Sequence, residues 1–264
     1  MNENVKKALE QKREYEQRLT DYTVALRNRS NKEKIVELSK LRNIPVETLV
    51  ELGVFYIGNM AEMMLPQYID SLSEFGVISS TNNKPIFNNR WVFPIKTREG
   101  KVQNLVGYSP DSDERYIYGT ARYYRRRNTL YGLENLDLAY QLGYAVLTEG
   151  ITDVVRLRSL GIKNSFGNCG TFTSEIGLKL LNRCRYGVIK IPDRDKAGLS
   201  AESKWKVLKG ITLIVPMKYK DCDEMLREPE NTEYFLESMK EVSEMLTEHE
   251  HNGIEHENKV FTLL

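Results

Sequence analysis

Tyr144-Ala145-Val146-Leu147-Thr148-Glu149-Gly150 is the stretch whose reading decides the fold. An uninterrupted apolar run, Tyr144–Leu147, reads as a strand, and it exits at an acid followed by a glycine that permits close approach of the backbone. Working downstream, further strands are predicted at Asn164–Phe166, Val188–Ile191 and Thr212–Val215, separated by helical stretches of roughly ten residues. This is a βαβ alternation, so the fold class is α/β with a mostly parallel sheet flanked by helices. Sheets of this kind bind ligands at the carboxyl ends of their strands, where Glu149 stands.

Upstream the pattern is different and reads as an α+β subdomain, helical and then antiparallel. A polar helix over Val5–Asn28 carries weak apolar periodicity through Leu9, Tyr15, Leu19 and Tyr22. Ser30 and Glu33 have capping-box spacing for a second helix reaching Arg42. Pro45 and Gly53 bracket a third, and Leu65, Ile69, Leu72 and Phe75, closed by Gly76, suggest a fourth. Trp91–Ile95 and Val102–Tyr108 are β-rich runs joined by Arg98-Glu99-Gly100, which predicts a hairpin. Arg115–Tyr118 adds a strand, and Arg122, Arg125, Arg126 and Arg127 follow on a loop.

Charge is uneven although the net is only +1. Between Lys84 and Arg127 there are ten Lys/Arg against four Asp/Glu, whereas from Asp221 onward there are three against thirteen. A basic middle and an acidic tail result. Arg90, Lys101, Arg115 and Arg126 alternate with Trp91, Tyr108, Tyr116, Tyr118, Tyr123 and Tyr124, a mixture suited to phosphates and stacked bases of a single strand. The same aromatics also serve as strand core. No run approaches the length of a membrane span and no secretory signal is visible, so a cytoplasmic protein is expected. Cys169, Cys184 and Cys222 are odd in number without zinc-site spacing, so reduced thiols and no zinc are expected. His249, His251 and His256 read as part of a solvated acidic tail.

The acids carry the chemistry. Glu149 alone is compatible with an ordinary helix-start acid. Asp153, four residues on, shares its helical face. Asp193-Arg194-Asp195-Lys196 follows the Val188–Ile191 strand, and two aspartates two apart on extended backbone point the same way. Asp221-Cys222-Asp223 follows the last strand. Each cluster alone is explicable as a cap, but three at one sheet edge repel one another unless a cation neutralises them. Oxygen donors without His or Cys suit Mg²⁺ or Mn²⁺, and such ions are commonly shared with substrate phosphates, which points to phosphoryl transfer.

Glu149-Gly150 and Asp193-x-Asp195 resemble the signature of the TOPRIM family, and Leu147–Val155 with Asp193–Gly198 resemble the form found in DnaG-type bacterial and phage primases. Gly170-Thr171 and Asp221-Cys222-Asp223 fall where those primases carry equivalents. Upstream, Arg42, Ile44-Pro45, Leu52-Gly53, Tyr56, Arg90–Ile95, Gly100-Lys101-Val102, Gly107, Arg115-Tyr116 and Leu130–Leu133 follow the family's basic subdomain in order. The chain departs from the pattern at Tyr108, where Arg is usual, at Tyr118, where Asn is usual, at Pro192, and at Cys222, where Pro is usual.

The resemblance implies a TOPRIM-type sheet and a four-part layout: an N-terminal helical extension over 1–34, a basic subdomain over 35–138, the TOPRIM domain over 139–220 and an acidic helical segment over 221–264. It implies RNA primer synthesis on single-stranded DNA from ribonucleoside triphosphates. Glu149, Asp153, Asp193 and Asp195 are then catalytic; Glu149, Asp193, Asp195, Asp221 and Asp223 hold Mg²⁺ or Mn²⁺. Arg90, Lys101, Arg115, Tyr116, Arg126 and Lys196 bind nucleotide or template. The zinc-binding and helicase-interacting modules of complete bacterial primases are not visible. A replicative helicase or a separate zinc-module protein is therefore an expected partner, in the host cytoplasm if the chain is phage-encoded. Two other readings use the same residues: a TOPRIM nuclease, and a non-catalytic primase-derived binding protein.

Overall fold

The computed structural model describes residues 2–79, 81–170, 174–194, 204–251 and 259–263, without the side chains of 249–251. The chain divides into two compact units, Met1–Tyr124 and Arg125–Leu264.

The first unit is built on helices α1 (Glu3–Arg29), α2 (Lys32–Arg42), α3 (Val46–Leu52) and α4 (Met60–Met63) and strands β1 (Phe55–Ile57), β2 (Arg90–Lys96), β3 (Val102–Tyr108) and β4 (Tyr116–Tyr118). The strands form one antiparallel sheet in chain order, with the expected β2–β3 hairpin at its centre. Helix α1 buries Tyr15, Leu19, Tyr22 and Leu26 at the spacing of one helical face, while Leu9 is exposed. Its polar groups also tie it down: the Tyr15 hydroxyl donates to Glu74 O at 3.0 Å, and Val102 N donates to Thr20 Oγ1 at 2.8 Å.

Two local expectations are corrected. The cap of α2 is Asn31, whose side chain accepts from Glu33 N, because the Ser30 hydroxyl is already paired with the backbone of Tyr56. The fourth helix is a 3-10 turn, Pro66–Ser71, followed by irregular turns. Leu65, Leu72 and Phe75 are buried as their spacing suggested, yet Ile69 is exposed. Long-range partners on α1 hold this segment, since Arg18 donates to Ser71 Oγ and Tyr15 reaches Glu74, and so an unbroken i→i+4 ladder is not required.

The second unit contains β5 (Leu130–Tyr131), α5 (Leu136–Leu142), β6 (Tyr144–Thr148), α6 (Ile151–Ser159), β7 (Ser165–Asn168), α7 (Glu175–Leu181), β8 (Gly187–Ile191), β9 (Gly210–Ile214), α8 (Cys222–Met225), α9 (Pro229–His251) and β10 (Lys259–Thr262). Its sheet has the order β10-β9-β8-β6-β7-β5, parallel except for the antiparallel edge strand β5. Pairing of β5 with β7 places 125–138 with this sheet, so the division falls before the expected 138/139.

Alternate residues separate into two cores. Val146, Ile189, Ile191, Ile211 and Leu213 meet α6 and α9, whereas Ala145, Leu147 and Val188 meet Phe166, Leu178, Leu181 and Trp205. The acidic C-terminal segment belongs to the first of these cores. Helix α9 buries Phe235, Met239, Val242 and Leu246 while Glu237, Glu241, Glu244 and Glu248 face water, so its negative charge is the solvated side of an amphipathic helix. The three cysteines are free thiols and buried. Among the described residues, no helix is long and apolar enough to cross a membrane.

Candidate metal centre and basic surface

Strand β6 delivers Glu149 to the carboxyl edge of the sheet. Thr148 pairs with Ile191 of β8 and Gly167 of β7, so the chain leaves β6 level with the exit of β8. Gly150 starts α6, and Asp153 at the third helical position accepts its N–H at Oδ2, 3.1 Å. A Cβ on Gly150 would lie 2.5 Å from that oxygen, and one on Gly167 would lie 2.7 Å from Gly150 O. Glycine at 150 and 167 therefore permits the close approach of α6, its capping acid and β7.

Three loops are stitched together at this edge. Glu149 Oε1 accepts the backbone N–H of Asp193 at 3.1 Å; Arg194 N donates to Lys220 O at 2.8 Å; Asp223 N donates to Asp153 Oδ1 at 2.9 Å. Asp221 caps α8 through Oδ1, accepting Glu224 N at 2.7 Å. Burial, followed by the charges of Asp221, Asp193 and Asp223, holds the Asp153 carboxyl well above the ordinary carboxylate range. Burial also raises Asp221, with the charge of Asp223 adding to it. The causes of these shifts link Asp153, Asp193, Asp221 and Asp223 electrostatically.

An all-oxygen edge of this kind fits a hard divalent cation, and added positive charge relieves the mutual repulsion that adds to burial in raising Asp153 and Asp221. Asp195 and Lys196, like Thr171 and His256, lie outside the described residues. Among those described, no three His, Cys, Asp or Glu form a complete cation cage. Two of the acids are already engaged by protein donors at both oxygens. Asp153 takes Gly150 N and Asp223 N, and Asp223 takes Arg156 and Arg227. Arg156 and Arg227 escaped the sequence reading. The only signal for Arg156 was a cation inside the apolar run Val154-Val155-Arg156-Leu157, and burial of its side chain is what demands an acid partner.

In the first unit, Tyr56, Trp91, Tyr108 and Tyr116 stand in register across all four strands, with successive ring centroids 5.5, 6.3 and 5.1 Å apart. Lys34 lies over Tyr56 and Arg42 over Tyr108, and the Trp91 indole donates to Lys34 O at 2.6 Å. Trp91 and Tyr108 are buried beneath this cover, so they are core side chains; Tyr116 remains half-buried. Arg90 is likewise internal. It donates to the carbonyls of Glu114 and Arg115 and to Ser112 Oγ, fixing the loop that presents exposed Arg115. Lys101 is half-buried, and Arg122 is exposed and pairs with Glu74 at 2.7 Å. In the second unit, Arg125, Arg126 and Arg127 are exposed.

A mostly parallel sheet with a Glu-Gly exit from one strand and an aspartate exit from its neighbour defines a TOPRIM-class core. No family model matches the chain. The DNA primase of Borreliella burgdorferi is 32% identical over 187 residues, covering 68% of this chain and 34% of that protein. The DNA primase of Thermotoga maritima is 25% identical over 231 residues, covering 77% and 41%. A solved DnaG primase catalytic domain bound to single-stranded DNA superposes with a TM-score of 0.72 at 20% identity, covering 88% of this chain and 80% of that one. Together these place the chain with the DnaG-type primase RNA polymerase (TOPRIM) domains. The chain spans between about a third and two fifths of the length of these curated relatives.

Proposed function

We propose that this chain synthesises RNA primers on single-stranded DNA from ribonucleoside triphosphates. The observation that carries the reading is the Glu149–Asp193 tie at the carboxyl edge of a TOPRIM-class sheet, within the field of Asp153 and Asp221. Similarity to named DNA primases supports it.

In this reading Glu149, Asp193, Asp195 and Asp221 hold Mg²⁺ or Mn²⁺. The ions, when bound, supply positive charge for the triphosphate and favour ionisation of the attacking 3′-hydroxyl. The 3′-oxygen bonds to the α-phosphorus of the incoming nucleotide as the bond from that phosphorus to the bridging oxygen breaks, the hydroxyl proton passes to water, and pyrophosphate leaves. Asp153 caps α6 and holds the Glu149-Gly150 turn. Arg115, presented by the loop that Arg90 braces, and Tyr116, at the start of β4, contact the template or the nucleotide, as do Lys101, Arg126 and Lys196. Phosphate contacts of this type position the strand without reading its sequence. The cytoplasm, that of a host for a phage-encoded chain, is the compartment. A replicative helicase or a separate zinc-module protein assists template recognition.

The test is a primer assay on single-stranded DNA with labelled ribonucleotides and Mg²⁺ or Mn²⁺, with and without helicase. Labelled oligoribonucleotides should appear with wild type and vanish in Asp193→Ala and Asp195→Ala. No product from wild type on any template overturns the proposal, and degradation of the template without added nucleotide would assign the same acids to a nuclease.

A further inference from the structure

Asp223 lies at the hub of a buried charge network. Its Oδ1 accepts Arg156 Nε at 3.1 Å, and its Oδ2 accepts Arg227 Nε and Nη2 at 3.2 and 2.6 Å. The Arg156 and Asp223 side chains are 4% and 1% exposed, while Arg227 is 41% exposed. Arg156 projects from α6 between core residues Val155 and Leu157, a place where a guanidinium is tolerated only when paired.

The network leads to the metal edge. Asp223 N donates to Asp153 Oδ1, and Asp153 Oδ2 accepts the N–H of Gly150, the residue next to Glu149. Two residues before Asp223, Asp221 caps the same short helix. A path of hydrogen bonds thus runs from Arg156 through the side chain and backbone N–H of Asp223 and the Asp153 carboxyl to the Glu149-Gly150 turn, with Asp221 capping the helix that carries Asp223. Groups behind the ligands that orient them are a general determinant of metal affinity.

We propose that Arg156 is a positioning residue for the metal edge: it withholds Asp223 from the ligand set and thereby sets where Asp221 and Glu149 stand. The inference rests on the metal reading given under Proposed function. Electrostatics supply the reason. Asp153, Asp193, Asp221 and Asp223 crowd one edge, and a guanidinium from the core neutralises the rearmost of them. That leaves Asp193 and Asp221, together with Glu149, as the acids that would hold the cation.

The test measures Mn²⁺ binding to the full chain by electron paramagnetic resonance, with circular dichroism and thermal melts as controls for folding. In Arg156→Met, Mn²⁺ affinity should fall about ten- to a hundredfold with stoichiometry unchanged, and Arg156→Lys should recover part of it. The pair replacement Arg156→Met/Asp223→Leu removes both buried charges and so guards against loss of folding. Its Mn²⁺ affinity should stay at least tenfold down. Wild-type affinity in that folded pair variant would show that the ion pair serves stability alone and would overturn the proposal. So would loss of a whole Mn²⁺ equivalent in Asp223→Asn, which would make Asp223 a ligand. Absence of Mn²⁺ binding in wild type would instead overturn the metal reading itself.

Discussion

The Glu149 carboxylate accepts the backbone N–H of Asp193 at 3.1 Å, although 44 residues separate them in the chain. The bond joins the exits of two neighbouring parallel strands and sets one predicted acid directly against the loop carrying the next. Glu149→Gln keeps an oxygen able to accept this N–H but removes the charge. Its melting temperature should stay within a few degrees of wild type, while primer synthesis falls at least about 100-fold, the scale of one lost charge contribution in metal-assisted transfer. Parallel melts and primer assays check this; unchanged synthesis would remove Glu149 from the proposed metal site.

Gly167 faces Gly150 across the α6–β7 packing. An added Cβ would stand 2.7 Å from Gly150 O and 2.9 Å from Val154 Cγ2, and the first of these is backbone. Gly167→Ala should therefore destabilise the fold by about 1–3 kcal/mol, the usual range for overpacking. Denaturant titration should show a lower midpoint at constant slope.

Tyr108 stands where the primase pattern has Arg, and restoring the family residue should harm this protein. The side chain is 4% exposed, packed between Trp91 and Tyr116 with the Arg42 guanidinium over its ring. Tyr108→Arg buries a second guanidinium beside the first and should cost about 2–4 kcal/mol or more. Tyr108→Phe gives up a 3.2 Å bond with Arg42 and should cost about 1 kcal/mol. Equilibrium unfolding distinguishes the two; an Arg variant as stable as Phe would contradict the packing described.

Glu16, on α1 of the first unit, offers a pH-dependent case. Burial, only partly offset by Lys12, raises its carboxyl above the ordinary value. The folded state therefore holds its proton to higher pH than the unfolded chain does. Stability is greatest below the unfolded value and falls as pH rises through the raised folded value. Glu16→Gln removes that loss and should raise stability by a few tenths to about 1 kcal/mol at pH 7, where the Lys12 pair is also lost, with no gain near pH 4. Melts at the two pH values give the sign directly.

The strand exits that carry the candidate acids were legible in the chain because their signals are local. The exits of β6 and β8 were marked by an apolar run meeting an acid, and the β2–β3 hairpin by two β-rich runs around Gly100. Other elements answered to long-range partners. Ser30 was drawn to Tyr56 and left the α2 cap to Asn31. The segment at Pro66–Ser71 was shaped by Arg18 and Tyr15 on α1. The segment at 125–138 went to the second unit because β5 found an edge beside β7.

The sequence by itself determined the strand periodicity, the parallel sheet and the placing of acids at strand exits, since each depends on residues within a few positions of one another. Only the tertiary structure decided what each of these acids touches. Asp221 and Asp223 are both aspartates two residues apart, yet one caps a helix at the edge and the other is enclosed by Arg156 and Arg227. That distinction depends on what lies across the sheet edge, 67 residues away in the case of Arg156, because a buried charge must find its partner wherever the fold brings one.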